Sequence, residues 1–225
     1  MTPAALEVLN LLRTQLRRAS VATTGGFRPP EDPMTSWFCR AVGLPNEGLP
    51  SWNGEPMFPL LQVRIDEMPV VPPQLEGIAL LVLFQNLQRH PFDRPHGDGW
   101  LVREYRSLDG LEPLPQVAHP FRAFPIRWSE VDDDAPGWED AWDCVDLTAV
   151  NDDATASKAF FDDFARHACT KFGGYPTEIQ HGVGLKDFVF QVASEEKVGW
   201  MWSDNGFGYF FRSPEGQWSW SCQFY

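Results

Sequence analysis

The chain has 225 residues, 43% hydrophobic and 22% charged, with a formal net charge of −13. A chain of that length buries roughly 70% of its unfolded surface, so it needs no disulfide or metal staple, and its composition is globular rather than disordered. The acidity excludes nucleic acid, whose phosphates require Lys/Arg stripes, disfavours anionic membranes, and allows a basic protein as partner, although acidity alone is usually a matter of solubility.

Thr2 and Pro3 suit the start of a helix whose apolar face is Leu6, Leu9, Leu12 and Leu16, and the pattern predicts a helix over residues 4–18. Arg13, Arg17 and Arg18 then favour the negative pole of its dipole. The early Glu7 and late arginines are the reverse of a signal peptide. No apolar run reaches ~18 residues, so no membrane span is expected. Cys39, Cys144, Cys169 and Cys222 form no C-x-x-C pair and read as free thiols of a cytoplasmic protein.

Residues 25–59 are rich in Gly and Pro but carry Trp37, Phe38 and Trp52, which reads as irregular chain pinned by aromatic anchors. Strands are expected at 58–65, 77–88 and 100–105, where β-branched and aromatic residues run between turn signals. Residues 113–128 contain several prolines and read as an extended edge segment. Between Glu130 and Asp153 stand ten acidic residues and no Lys or Arg. A second helix is predicted near 156–171, with Phe160, Phe161, Phe164 and Phe172 inward, ended by Gly173 and Gly174. Four strands should close the chain, at 187–193, 199–202, 206–212 and 218–224. The fold class is therefore α+β, predominantly antiparallel sheet with two helices.

Phe58-Pro-Leu-Leu-Gln62 is echoed by Phe188-Val-Phe-Gln191, and a glycine (Gly77, Gly206) follows each Gln by fifteen residues. Two similar β-units, at about 20–125 and 155–225 within one domain spanning 1–225, would leave this pattern. Chance would leave it too.

Lys171-Phe-Gly-Gly-Tyr-Pro176, Gln180, Asp187-Phe-Val-Phe-Gln191 and Trp202-Ser-Asp-Asn-Gly206 together resemble the YwqG-like family. That is a group of bacterial proteins described mainly as a domain of unknown function. The first half matches more loosely, through Gly43-Leu-Pro45, Trp52, Gly54, Pro56 and Gln62. The resemblance implies mixed α/β structure on antiparallel sheet and brings no activity or catalytic residues.

No catalytic signature is present. His90, Asp93, His96 and Asp98 lie in a Pro/Gly-rich run without the rigid frame a zinc site needs. Asp132, Asp134, Gly137, Asp140 and Asp143 mimic calcium-loop spacing, but Pro136 occupies a ligand position and no Glu closes the loop. No metal or cofactor is expected. Two binding surfaces are weighed against a plainer reading, in which the tryptophans pack on the sheet and the acids form a solvated loop. The first is the acidic segment, with Trp138 and Trp142 as anchors among Asp132, Asp134, Glu139 and Asp140, occluding a basic protein in the manner of an immunity protein. The alternative is a pocket between the two β-units, lined by Gln62, Gln180, Gln191 and Asp204, taking a small molecule or serving an enzyme.

Overall fold

The computed structural model describes residues 1–88, 90–92 and 94–225. Helix α1 (Pro3–Arg13) is capped by the Thr2 hydroxyl, which accepts from the Ala5 N–H at 3.2 Å. It stops before the expected boundary. Arg17 and Arg18 open strand β1 (Arg17–Thr24) instead, because the small and β-branched residues Ala19–Thr24 pair along one side and Ala19–Val21 along both.

The first series continues through β2 (Trp37–Phe38), β3 (Phe58–Arg64), β4 (Leu80–Gln85) and β5 (Trp100–Tyr105). A second series follows: β6 (Phe124–Asp134), β7 (Lys171–Gly173), β8 (Phe188–Ala193), β9 (Phe207–Arg212) and β10 (Trp218–Gln223). All ten form one antiparallel sheet in the order β10-β9-β8-β7-β1-β6-β2-β3-β4-β5. The order is symmetric about the central β1·β6 pair. The sheet curls into a nearly closed barrel. Its end strands meet through side chains: Glu104 of β5 accepts from Arg212 at 2.8 Å and from the Trp218 indole at 2.6 Å. Two small antiparallel pairs, the long-range Val42–Gly43 with Glu112–Pro113 and the hairpin Ser51–Trp52 with Glu55–Pro56, accompany the first series.

The continuous apolar run of β4 reflects burial on both faces. Leu81 and Leu83 point into the barrel core with Phe58, Trp100, Phe190 and Phe210. Leu80, Val82 and Phe84 pack outward against Ala41, Met57 and Tyr105.

Three sequence expectations are corrected here. Of the segment 113–128 read as an edge, residues 124–128 are the start of β6, which lies at the centre of the sheet; Pro113 pairs with Val42 in a separate small sheet, and Pro125 pairs with Trp37 of β2. The second helix, α4 (Ala154–Asp163), ends eight residues early. Arg166 gathers the carbonyls of Phe160 (3.1 Å) and Phe164 (3.2 Å) together with that of Pro136 (3.0 Å), and residues 171–173 pair as β7. Residues 199–202 make only an isolated bridge, Glu195 with Trp200. The acidic segment supplies the end of β6 and two short helices, α2 (Trp138–Ala141) and α3 (Thr148–Asn151). With α1 and α4 these form a helical cap around Leu9, Leu12, Leu147, Val150 and Phe160.

Candidate functional site

The cap carries an aromatic patch. The Trp138 ring stacks on Phe161 (5.6 Å, 25°) and meets Phe160 and Trp142 edge-on at 4.9 and 6.2 Å. Trp142 remains 40% exposed and Phe161 57% exposed. Asp132 and Glu139 are also on the surface, whereas Asp134 and Asp140 are buried.

Those two carboxylates hold the cap to the barrel. Asp134 accepts from the buried Lys171 ammonium at 2.8 and 3.0 Å, from Tyr175 N–H at 2.8 Å and from His167 N–H at 3.1 Å. Burial pushes the Lys171 pKa down, and Asp134 draws it back up. A Cβ on Gly174, whose φ is +65°, would overlap Asp134 Oδ2. The Gly173-Gly174 pair therefore admits the carboxylate to the turn; it does not end a helix. Asp140 accepts from Val183 N–H (3.2 Å) and Gly184 N–H (2.9 Å), and burial raises its pKa. Other acids of the segment are engaged as well: Asp153 caps α4, Asp146 bonds Thr148, and Glu130 pairs with Arg18 at 2.6 Å. Asp134 and Asp140 are thus withdrawn from the surface, while Asp146 and Asp153 keep their charge.

The four alternative pocket residues do not assemble. Gln62 and Gln191 are buried on β3 and β8, with four strands between them. Each ties down its own loop. Gln62 accepts from Val42 N–H and donates to the Pro33 and Thr35 carbonyls, while Gln191 accepts from Thr177 N–H and donates to the Cys169 carbonyl. Gln180 and Asp204 are exposed.

A cleft of about 550 Å³ runs past Trp52, Asn86 and Gln116, and a recess of about 160 Å³ adjoins it at Gln116 and Val117. None of those four residues lines either. Cys39 and His119 both line the recess, but burial pushes the Cys39 thiol up to about 12, so it is not a nucleophile at neutral pH. Among the described residues no group of three or more His, Cys, Asp or Glu is placed to hold a metal; Asp93 lies outside them.

Sequence reasoning missed a second aromatic cluster, at the barrel seam. Gln85, fully buried, lies between Phe58 and Trp100 in cross-strand register. From Phe58 the ring contacts continue to Trp200 (5.5 Å), Trp202 (5.1 Å), Trp220 (5.4 Å) and back to Trp100 (6.1 Å). Both polar atoms of the Gln85 amide, and the indole nitrogens of Trp200, Trp202 and Trp220, are buried without a hydrogen-bond partner among the described residues. Each such group costs about 1–3 kcal/mol when left unpaired. The one signal in the sequence was an amide closing the otherwise apolar strand Leu80–Phe84.

The molecule is thus a curled antiparallel β-domain with a helical cap and two aromatic clusters, one outside and one inside. It belongs to the family described as a domain of unknown function (DUF1963), whose model matches residues 44–216. No match was found among curated proteins.

Proposed function

We propose that the protein is a non-enzymatic binding module that engages a basic protein through the aromatic patch of its cap. The observation that carries this reading is the exposure of Trp142 and Phe161 on rings held in place by Trp138. Such anchors provide most of the binding energy at interfaces. The net charge of −13 supplies steering toward a cationic partner. Exposed Glu139 and Asp143 flank the α2 aromatics, and the one lysine of α4, Lys158, is already paired with Asp162. An immunity-type role, in which the patch covers a basic toxin, is the sharpest form of this reading. Four free thiols fit a cytoplasmic setting, and the Lys171–Pro176 and Trp202–Gly206 motifs support the finer resemblance to YwqG-like proteins.

The two strand series are read in the same way, as copies of one unit. Ser36 accepts from Arg64 N–H and Thr170 from Ala193 N–H, each at 3.0 Å, at corresponding places beside Gln62 and Gln191. The copies would then begin at β1 and β6, earlier in the second case than the echo in the sequence suggested.

The test is affinity capture from native lysate with the wild-type chain and with a Trp142→Ala/Phe161→Ala variant. A basic protein held by the wild type, lost with the double variant and released as salt rises past a Debye length of about 8 Å supports the reading. A partner captured equally by both chains removes it.

A further inference from the structure

The seam cluster has a composition that packing alone does not explain. Its walls come from both strand series: Phe58, Gln85 and Trp100 from the first, Trp200, Trp202 and Trp220 from the second. Trp100 shows how an indole in this setting is normally satisfied, for its Nε1 donates to the Arg94 carbonyl at 2.9 Å. Among the described residues the other three indoles have no such acceptor, and neither end of the Gln85 amide has a partner. Buried polar groups are otherwise paired almost without exception. Here, among the described residues, five atoms of four residues are unpaired, Gln85 joining the ring of indoles through its cross-strand partners Phe58 and Trp100.

What now covers the ring is part of the chain itself. The His90 imidazole lies 5.3 Å from Trp202 and 5.6 Å from Trp200, and the Phe92 ring stacks on Trp220 at 6.1 Å and 15°. Both belong to the β4–β5 connection, which begins directly after Gln85. Phe92 is 45% exposed and rests on the half-buried Trp220 ring. One flat ring stacked on Trp220, and a second tilted against Trp202 and edge-on to Trp200, show the shape the site accommodates.

We propose that this ring is a binding site for an uncharged, flat heteroaromatic molecule rich in hydrogen-bond acceptors, which takes the place of His90 and Phe92. The donor balance sets the acceptor requirement. The amide offers two N–H bonds and each of the three indoles one, against a single carbonyl oxygen. Carbonyl oxygens or ring nitrogens on the edge of a flat ligand would answer them, while its faces stack on the indoles. The absence of charge follows from the walls, since none of the six ring residues is charged and the molecule as a whole is strongly acidic. An anionic ligand would be repelled, and a cation would find mostly N–H groups. This site is separate from the cap patch and does not depend on the function proposed for it.

The test uses the full chain and a panel of uncharged one- and two-ring heteroaromatics such as pyridones, pyrimidinones and quinazolinones. Indole N–H resonances are followed in a ¹⁵N-labelled sample, assigned by single Trp→Phe variants. The expected result is that members of the panel shift the Trp200, Trp202 and Trp220 signals together and move Trp100 less. Gln85→Leu should keep or raise Tm and weaken panel binding at least tenfold. Phe92→Ala should keep the fold and tighten binding severalfold, because an exposed ring is removed from the face a ligand would use. If no panel member moves the three signals in either the wild type or Phe92→Ala, the proposal fails. It fails equally if the shifts survive Gln85→Leu unchanged, or if uncharged sugars produce them and heteroaromatics do not. A fall of several degrees in Tm for Gln85→Leu would show that the amide has a structural role bridged by interior water, and that also overturns it.

Discussion

The cap and the seam are both aromatic clusters, yet they treat their buried polar groups in opposite ways. In the cap, Asp134 has Lys171 and two backbone N–H groups, Asp140 has two more, and Arg166 holds three carbonyls. At the seam, the Gln85 amide and three indoles hold nothing among the described residues. Where buried polar groups are fully answered they are part of the scaffold, and whatever binds must use the outer face. Where they are unanswered they are available to a ligand. The same residue types therefore point outward in one region and inward in the other.

The sharpest way to break this contrast is to remove one buried polar group from each region. Asp134→Ala leaves the Lys171 ammonium 1% exposed and unpaired. Losing one partner of a buried ion pair costs about 3–5 kcal/mol, and at 2–4 °C per kcal/mol for a chain of this size Tm should fall by about 10 °C. Lys171→Met added to Asp134→Leu should recover part of that loss, because no buried charge is then stranded. Gln85→Leu at the seam should cost nothing. If thermal melts show equal losses for Asp134→Ala and Gln85→Leu, the two regions are alike and the distinction collapses.

A smaller effect separates the regions by pH. At the seam, burial lowers the pKa of His90 and His119, and each ring nitrogen accepts a backbone N–H, from Ser203 at 3.2 Å and from Phe121 at 3.2 Å. The unfolded chain takes up these protons near the ordinary value of 6.5 and the folded chain resists. Stability from this region is therefore lost as pH falls below about 6.5. In the cap the sign is reversed. Burial raises the pKa of Asp140 and Glu178, so the folded chain protonates first and the cap gains stability as pH falls toward their ordinary range. Tm measured from pH 7.5 to 5 should lose part of its seam component in His90→Asn/His119→Asn, with His96 against Trp100 retaining the rest, and part of its cap component in Asp140→Asn, with Glu178 retaining the rest. Slopes unchanged by either variant would remove the assignment.

How much of this was legible in the sequence depended on whether neighbours in the chain or distant residues decide the structure. Phe58–Arg64, Trp100–Tyr105, Phe207–Arg212 and Trp218–Gln223 were read almost to the residue, because apolar and β-branched runs sit between turn residues. The central strands were not. Arg17 and Arg18 read as the end of a helix and residues 19–24 carried no strand signal, and the acids of Phe124–Asp134 disguised a strand, because pairing between positions more than a hundred residues apart decides both. The site divided similarly. Trp138 and Trp142 stood out as aromatics in an acidic run, and Gln62 and Gln191 stood out by their echo. Asp134 and Asp140 could not be told from surface acids without knowing that Lys171 and the 183–184 turn reach them. Gln85 became notable only once Trp200, Trp202 and Trp220 were seen around it.

The smallest expected effect is the one that ties the cap patch to function rather than folding. Phe161 and Phe160 are neighbours on α4, but Phe160 is fully buried while Phe161 is 57% exposed. Phe161→Ala removes the stack with Trp138, a contact of about 0.5–1.5 kcal/mol, and puts a better helix former in its place. The two changes partly offset, so Tm should move by no more than about 3 °C. Phe160 substituted in the same way should cost about 3–5 kcal/mol, as cavity formation in a packed core does. A large loss for Phe161→Ala would mean that its ring belongs to the cap's core and that the exposed patch is only the edge of that core. A small loss, measured by thermal melting before any partner is added, leaves an apolar ring on the surface of an acidic protein that folding does not require.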